Sequence, residues 1–153
     1  MVIDLNLPDA GATERLGGGL AAGVVPGRVL HLRGELGSGK TTLVRGLLKG
    51  LGYAGRVGSP TYPLVEPYEL SSLHFYHFDF YRLRDPSEWL SSGFRDYFNP
   101  ESVCVVEWPE RAGSTLPPPD VEILLQHAGT ARRASLSAGS PAGEAWLCSL
   151  RFS

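Results

Sequence analysis

One stretch, Gly34-Glu35-Leu36-Gly37-Ser38-Gly39-Lys40-Thr41-Thr42, limits what this chain can fold into more than any other. It follows G-x-x-x-x-G-K-T, the Walker A pattern of a loop that wraps phosphate. Such a loop works only between a strand and a helix, and both flanks comply. Val29-Leu30-His31-Leu32 reads as a buried strand, and Leu43, Val44, Leu47, Leu48 and Leu51 recur at helical spacing. Gly52 suits the helix's C-terminal cap. The chain must therefore build an α/β fold around this junction.

The loop has a definite chemistry. A triphosphate needs donors at short range, and Gly34, Gly37 and Gly39 let successive backbone N–H groups turn inward. The helix beginning near Lys40 adds its free N–H groups and the positive end of its dipole, worth ~0.3–1 kcal/mol per charge. Lys40 is expected to reach the β- and γ-phosphates, Thr41 to ligate Mg²⁺, and Thr42 to lie near the α-phosphate. The bland alternative, a glycine-rich turn with a chance lysine, ignores the strand and helix around it. It also ignores that Lys40 and Lys49 are the only lysines.

The 153 residues suffice for one domain with a real core, taken as 1–153. A hydrophobic content of 42% and a charged content of 20% are globular values. A net charge of −2 argues against broad attraction to nucleic acid or membrane, so RNA contact would be local or made through a partner. No secretory signal is visible at the N-terminus, and the uncharged run from Leu16 to Gly27 is too short and glycine-rich to span a membrane. Cys104 and Cys148 sit in strand-like runs and make no disulfide framework, which fits a reducing, cytoplasmic setting.

Along the chain, Val2 to Leu7 reads as a short edge strand stopped by Pro8. Asp9 to about Ala22 reads as a helix capped by Asp9 and weakened by Gly17, Gly18 and Gly19. Leu64 to Tyr68 suits an edge strand, since Pro67 removes a donor. Leu73 to Phe80 is an aromatic-rich strand, and Asp85-Pro86-Ser87-Glu88 starts a helix. Val103 to Val106 is a central strand ending at Glu107. After a proline-rich break, Val121 to Leu125, Ala134 to Ala138 and Ala145 to Leu150 read as three strands.

A nucleotide hydrolase also needs a carboxylate near Mg²⁺ and a group that positions water. Asp79 and Glu107 each end an apolar strand, where α/β sheets place their ligands. Either could orient the water, and either could instead cap a loop or pair with an arginine such as Arg82. Ser59-Pro60-Thr61 lies where switch segments lie, and a Thr61 hydroxyl there could ligate Mg²⁺ or sense the γ-phosphate. His77 and Asp79 share a strand face, but two ligands do not make a zinc site. Trp108 could stack on a base or a partner, or cover the core.

Taken together, the phosphate loop, Ser59-Pro60-Thr61-Tyr62, His77-Phe78-Asp79-Phe80-Tyr81-Arg82 and Val106-Glu107-Trp108-Pro109-Glu110 resemble the TsaE family (formerly YjeE), nearly throughout the chain. The resemblance implies a P-loop NTPase fold, a three-layer α/β/α sandwich with a mixed sheet and antiparallel C-terminal strands. It implies a Mg²⁺-dependent ATPase, weak alone, that works with TsaB and TsaD to install threonylcarbamoyl on the adenosine beside the tRNA anticodon. By motif, Glu35, Leu36, Gly37, Ser38, Gly39, Lys40, Thr41 and Thr42 would hold ATP, and Thr41 and Glu107 would ligate Mg²⁺. Lys40, Asp79 and Glu107 would carry the reaction, with Thr61 in the switch-like loop. Thr13 and Arg132 match positions that touch the nucleotide away from the phosphates.

Other nucleotide-binding classes would carry marks of their own. A GTP switch would carry an Asn/Thr-Lys-x-Asp guanine reader, and neither lysine sits in one. A small-molecule kinase would carry an arginine-rich lid, and Arg82, Arg84 and Arg95 are scattered. A module whose nucleotide only props up an interface would bind but need not hydrolyse. No arginine finger is obvious, Arg82 being the nearest candidate.

Overall fold

The computed structural model describes residues 1–60 and 64–150. Thr61 falls outside them. Seven strands form one mixed sheet: β1 (Val2–Leu7), β2 (Val29–Arg33), β3 (Val65–Glu69), β4 (His74–Asp79), β5 (Ser102–Glu107), β6 (Val121–Ala128) and β7 (Ala131–Ala138), in the order β1-β7-β6-β2-β5-β4-β3. The centre, β6-β2-β5-β4, is parallel, and β1, β7 and β3 add antiparallel edges. β5 is buried from end to end, as an apolar run covered on both faces must be.

One face of the sheet packs on α1 (Ala10–Leu20), α2 (Lys40–Gly50) and α4 (Pro141–Cys148), with Leu16, Leu20, Leu43, Leu47 and Trp146 in a common core. The other face, over β3 to β5, is covered by the single turn α3 (Ser87–Leu90) and by 3₁₀ stretches at Phe94–Tyr97 and Pro109–Thr115. There Phe78, Phe80 and Trp89 form an aromatic cluster. Asp85 accepts from the Ser87 N–H while Glu88 accepts from the Asp85 N–H, so the expected helix start is closed on both sides. Among the described residues no helix is long and apolar enough to cross a membrane.

The weak-looking glycine helix is real and its glycines have a use. Asp9 Oδ1 accepts from the Ala12 N–H at 2.8 Å and starts α1. A Cβ on Gly17 would overlap the Leu43 carbonyl oxygen, and one on Gly46 would overlap that of Glu14. The two backbones therefore cross at a distance only glycine allows, and α1 is drawn down against α2 beside the glycine loop that precedes it.

The expected third C-terminal strand is instead the helix α4. Ser140 Oγ accepts from the Gly143 N–H, and Pro141 occupies the first turn. Gly143, Trp146 and Leu147 are buried, a helical spacing hidden within an apolar run. Trp146 Nε1–H donates to the Leu20 carbonyl at 2.9 Å and locks α4 to the end of α1. Cys148 is thus an exposed helical residue, not part of a strand. Burial pushes the Cys104 thiol up to about 12.

Candidate functional site

The loop between β2 and α2 is shaped by backbone that glycine alone adopts freely. Gly37 (φ 75°) and Gly39 (φ 106°) lie in the left-handed region, and Gly39 caps α2. A Cβ on Gly37 would meet nothing within 4 Å, so its constraint is conformational and the space beside it is open. Gly37 borders a cavity of about 270 Å³, lined also by Lys40, Thr41, Ser59, Asp79, Glu107 and Trp108, together with Leu36 and Gly39.

The two carboxylates come from adjacent parallel strands and are register partners, Asp79 against Glu107. They stand at the C-terminal ends of β4 and β5, beside the N-terminus of α2. Glu107 is buried, and its Oε2 accepts from Thr41 Oγ1 at 3.2 Å and lies 2.6 Å from His77 Nε2. Thr41 Oγ1 also lies 2.8 Å from Ser59 Oγ. Asp79 is half-buried and takes one backbone donor, the Tyr81 N–H at 3.0 Å on Oδ1. Burial, and next the charge of Glu107, push its carboxyl above the usual range, against the Tyr81 N–H, His77 and Lys40.

Lys40 is 4% exposed, and its ammonium donates to the carbonyls of Gly34 and Glu35. The Trp108 ring lies 4.6 Å from Nζ. Burial lowers the Lys40 pKa, opposed by Glu107, Asp79 and Glu110. Trp108 gains this place because its backbone is left-handed (φ 57°) directly after Glu107, which turns the chain across the loop. Tyr81 packs on the same indole at 5.1 Å.

The expected residues away from the phosphates lie on the other flank of the loop. Thr13, Arg132, Ser38 and Thr42 border a cavity of about 220 Å³ that shares Gly37 and Gly39 with the first. Arg132 donates to the Gly37 carbonyl at 3.1 Å, so the β6–β7 hairpin supports the loop. Glu35 turns away: it gives Lys40 its carbonyl and borders a separate cavity with Arg33 and Glu110. Arg82 is exposed and pairs with neither Asp79 nor Glu107 among the described residues. Sequence reasoning gave no role to Ser59, whose hydroxyl meets Thr41, or to Arg111, whose guanidinium lies 5.6 Å from the Tyr81 ring. The serine was legible in its motif, but the neighbouring threonine drew the assignment. The arginine left no local signal.

The arrangement offers amide donors, one ammonium and a cluster of oxygens around a cavity, which is suited to a polyanion with a hard cation. The family profile described as "Threonylcarbamoyl adenosine biosynthesis protein TsaE" matches residues 7–135. The tRNA threonylcarbamoyladenosine biosynthesis protein TsaE of Haemophilus influenzae is 46% identical over 116 residues, covering 76% of this chain and 73% of its own. The protein of that name from Bacillus subtilis is 42% identical over 113 residues, covering 74% and 70%. The crystal structure of Bacillus subtilis YdiB is similar with a TM-score of 0.82 and 29% identity, over 96% of this chain and 92% of that one.

Proposed function

The chain belongs to the TsaE family of threonylcarbamoyl adenosine biosynthesis proteins, and on that premise we propose that its own part is to bind and hydrolyse ATP with Mg²⁺, together with TsaB and TsaD. One observation carries this reading. Lys40, Thr41, Asp79 and Glu107 all border one cavity of about 270 Å³ beside the phosphate loop.

The residues fit the groups they would hold. Thr41 Oγ1, the Glu107 carboxylate and Ser59 Oγ are all hard oxygen donors meeting at one point. Mg²⁺, when bound, supplies charge neutralisation on the phosphate oxygens. Lys40 would exchange the Gly34 and Glu35 carbonyls for phosphate oxygens, and a partly desolvated ammonium gains much from such an exchange. The N–H groups at the start of α2 face the same anion.

The carboxylates divide the work. Glu107 is held by Thr41 and His77 and belongs to the metal side. Asp79 keeps Oδ2 without a protein partner among the described residues and has a raised pKa, which suits a group that orients water and accepts its proton. Thr13 and Arg132 would contact the sugar or base from the second cavity. No arginine borders the catalytic cavity among the described residues, which supports slow turnover until a partner completes the site.

Nucleotide choice is read by thermal shift. At ~100-fold excess over Kd, ATP with Mg²⁺ should stabilise the fold by about 2.7 kcal/mol. GTP should not, and Lys40→Ala should abolish the effect. Equal shifts with ATP and GTP would remove the adenine assignment. Turnover with and without TsaB and TsaD then tests partner dependence, which an unchanged rate would refute. An Asp79→Ala protein that still supports tRNA modification would favour a nucleotide-dependent binding module. A phosphorylated metabolite made by the chain alone would favour a kinase.

A further inference from the structure

His77 lies in β4 two residues before Asp79, and the chemistry above gives it no task of its own. Its side chain is fully buried (0% exposed), opposite Val105 on the sheet face that carries Asp79 and Glu107. Nε2 is 2.6 Å from Glu107 Oε2. Nδ1 is buried with no partner among the described residues.

A core filler has no need of such a ring. An apolar side chain of similar size would fill the volume without leaving a desolvated nitrogen unpaired. The ring is therefore explained by its other nitrogen. A carboxylate only accepts, so Nε2 carries the proton in this contact. Among the described residues Glu107 is otherwise tethered only by Thr41 Oγ1, on the same oxygen Oε2. Its Oε1 takes no protein donor among the described residues, and the side chain borders the cavity. A glutamate has three side-chain torsions, and without His77 the hydroxyl of Thr41 would be their one hold among the described residues. That hydroxyl is itself wanted at the cation.

We propose that His77 is a positioning residue: its Nε2–H grips Glu107 Oε2 and leaves Oε1 turned toward the cation that the site takes. Hydrogen bonds of this kind orient metal-binding carboxylates and set their affinity. The inference rests on the reading of Glu107 as a Mg²⁺ ligand.

The test is calorimetric titration of Mg²⁺ into the full chain loaded with ADP, which reads binding and not turnover. His77→Phe should weaken Mg²⁺ by ~10–100-fold. His77→Gln, whose amide donor can reach the same oxygen, should recover most of the loss. ADP affinity without metal should stay unchanged in both. A folded His77→Phe protein that takes Mg²⁺ as the wild type does would overturn the proposal. An equal loss in both variants would also overturn it, since ring shape and not the donor would then be responsible. Glu107→Gln separates the two levels. If it too leaves Mg²⁺ affinity unchanged, the metal role of Glu107 has failed; if it weakens Mg²⁺ and His77→Phe does not, only the role of His77 has failed. Should His77→Phe not fold, ¹⁵N spectra of the wild-type ring decide. Mg²⁺ added to the ADP complex should move the Nε2 signal more than the Nδ1 signal, and equal or absent movement would overturn the proposal.

Discussion

Thr41 Oγ1 donates to Glu107 Oε2 across 3.2 Å, joining residues 66 positions apart in sequence. The bond closes the first turn of α2 onto the end of β5, so the glycine loop and Glu107 are joined directly. Thr41→Val keeps the volume and removes the hydroxyl. Stability should fall by only about 1 kcal/mol, the net worth of one such hydrogen bond. Mg²⁺-dependent ATP hydrolysis should fall ~100-fold or more, since an inner ligand matters at least as much as an outer one. Turnover against Mg²⁺ concentration checks this, and an unaltered Mg²⁺ requirement would remove Thr41 from the metal.

Asp79 sits in its place at a cost to the fold. Its carboxyl pKa is raised in the fold above 3.8 by burial and next by the charge of Glu107. Such a group adds stability below its unfolded pKa, and that stability is lost as pH rises through the folded value. At about pH 7 the charge therefore works against the fold. Asp79→Asn should raise the Tm of the nucleotide-free protein there and cut hydrolysis ~100-fold or more. At about pH 3 both side chains are neutral, and the Tm difference should close. A gain that persists in acid would have another source than charge.

The glycines of α1 are not equivalent. A Cβ on Gly17 would overlap the Leu43 carbonyl, whereas one on Gly18 has the Gly46 oxygen 3.7 Å away. Gly17→Ala should cost about 1–3 kcal/mol or more through overpacking. It should also weaken ATP binding, because α1 carries Thr13 to the loop. Gly18→Ala should stabilise the helix by about 0.5–1 kcal/mol and leave binding intact. Urea unfolding and nucleotide titration of the pair distinguish close helix contact from helix propensity.

What could be read in advance was whatever local chemistry dictates. The Walker pattern demanded β2 and α2, Asp9 announced α1, and the apolar run before Glu107 marked β5 with the acid at its C-terminal end. The mixed sheet and its antiparallel C-terminal hairpin followed the expectation, although β6 and β7 run longer toward their shared turn than the apolar residues alone indicated. α4 was misread because Ala145 to Leu150 looks uniformly apolar, and only Ser140-Pro141 marks a helix start. The site resisted where it depends on pairing across the sheet. Asp79 beside Glu107, His77 beneath Glu107 and Ser59 on Thr41 are products of register and loop closure, which no spacing in the chain records. The use of Gly17 and Gly46 was hidden likewise, since a glycine's reason lies in the backbone opposite it.

The acid side of the stability curve should be governed by His31. This residue lies in β2 immediately before the loop, is 5% exposed, and leaves Nε2 without a partner among the described residues. Glu122 is 3.9 Å from Nδ1, too far for a hydrogen bond. Burial lowers the pKa from 6.5 to about 4, with Glu122 raising it and Arg33 lowering it further. The folded protein therefore keeps His31 neutral while the unfolded chain takes up a proton. Stability is fully present above pH 6.5 and is lost as pH falls toward about 4. The loss should reach about 3 kcal/mol, at 1.36 kcal/mol for each pKa unit. Urea midpoints at about pH 7 and about pH 4.5 measure it, and His31→Leu should flatten that part of the difference. A His31→Leu protein that loses as much stability as the wild type over this window would place the acid sensitivity elsewhere.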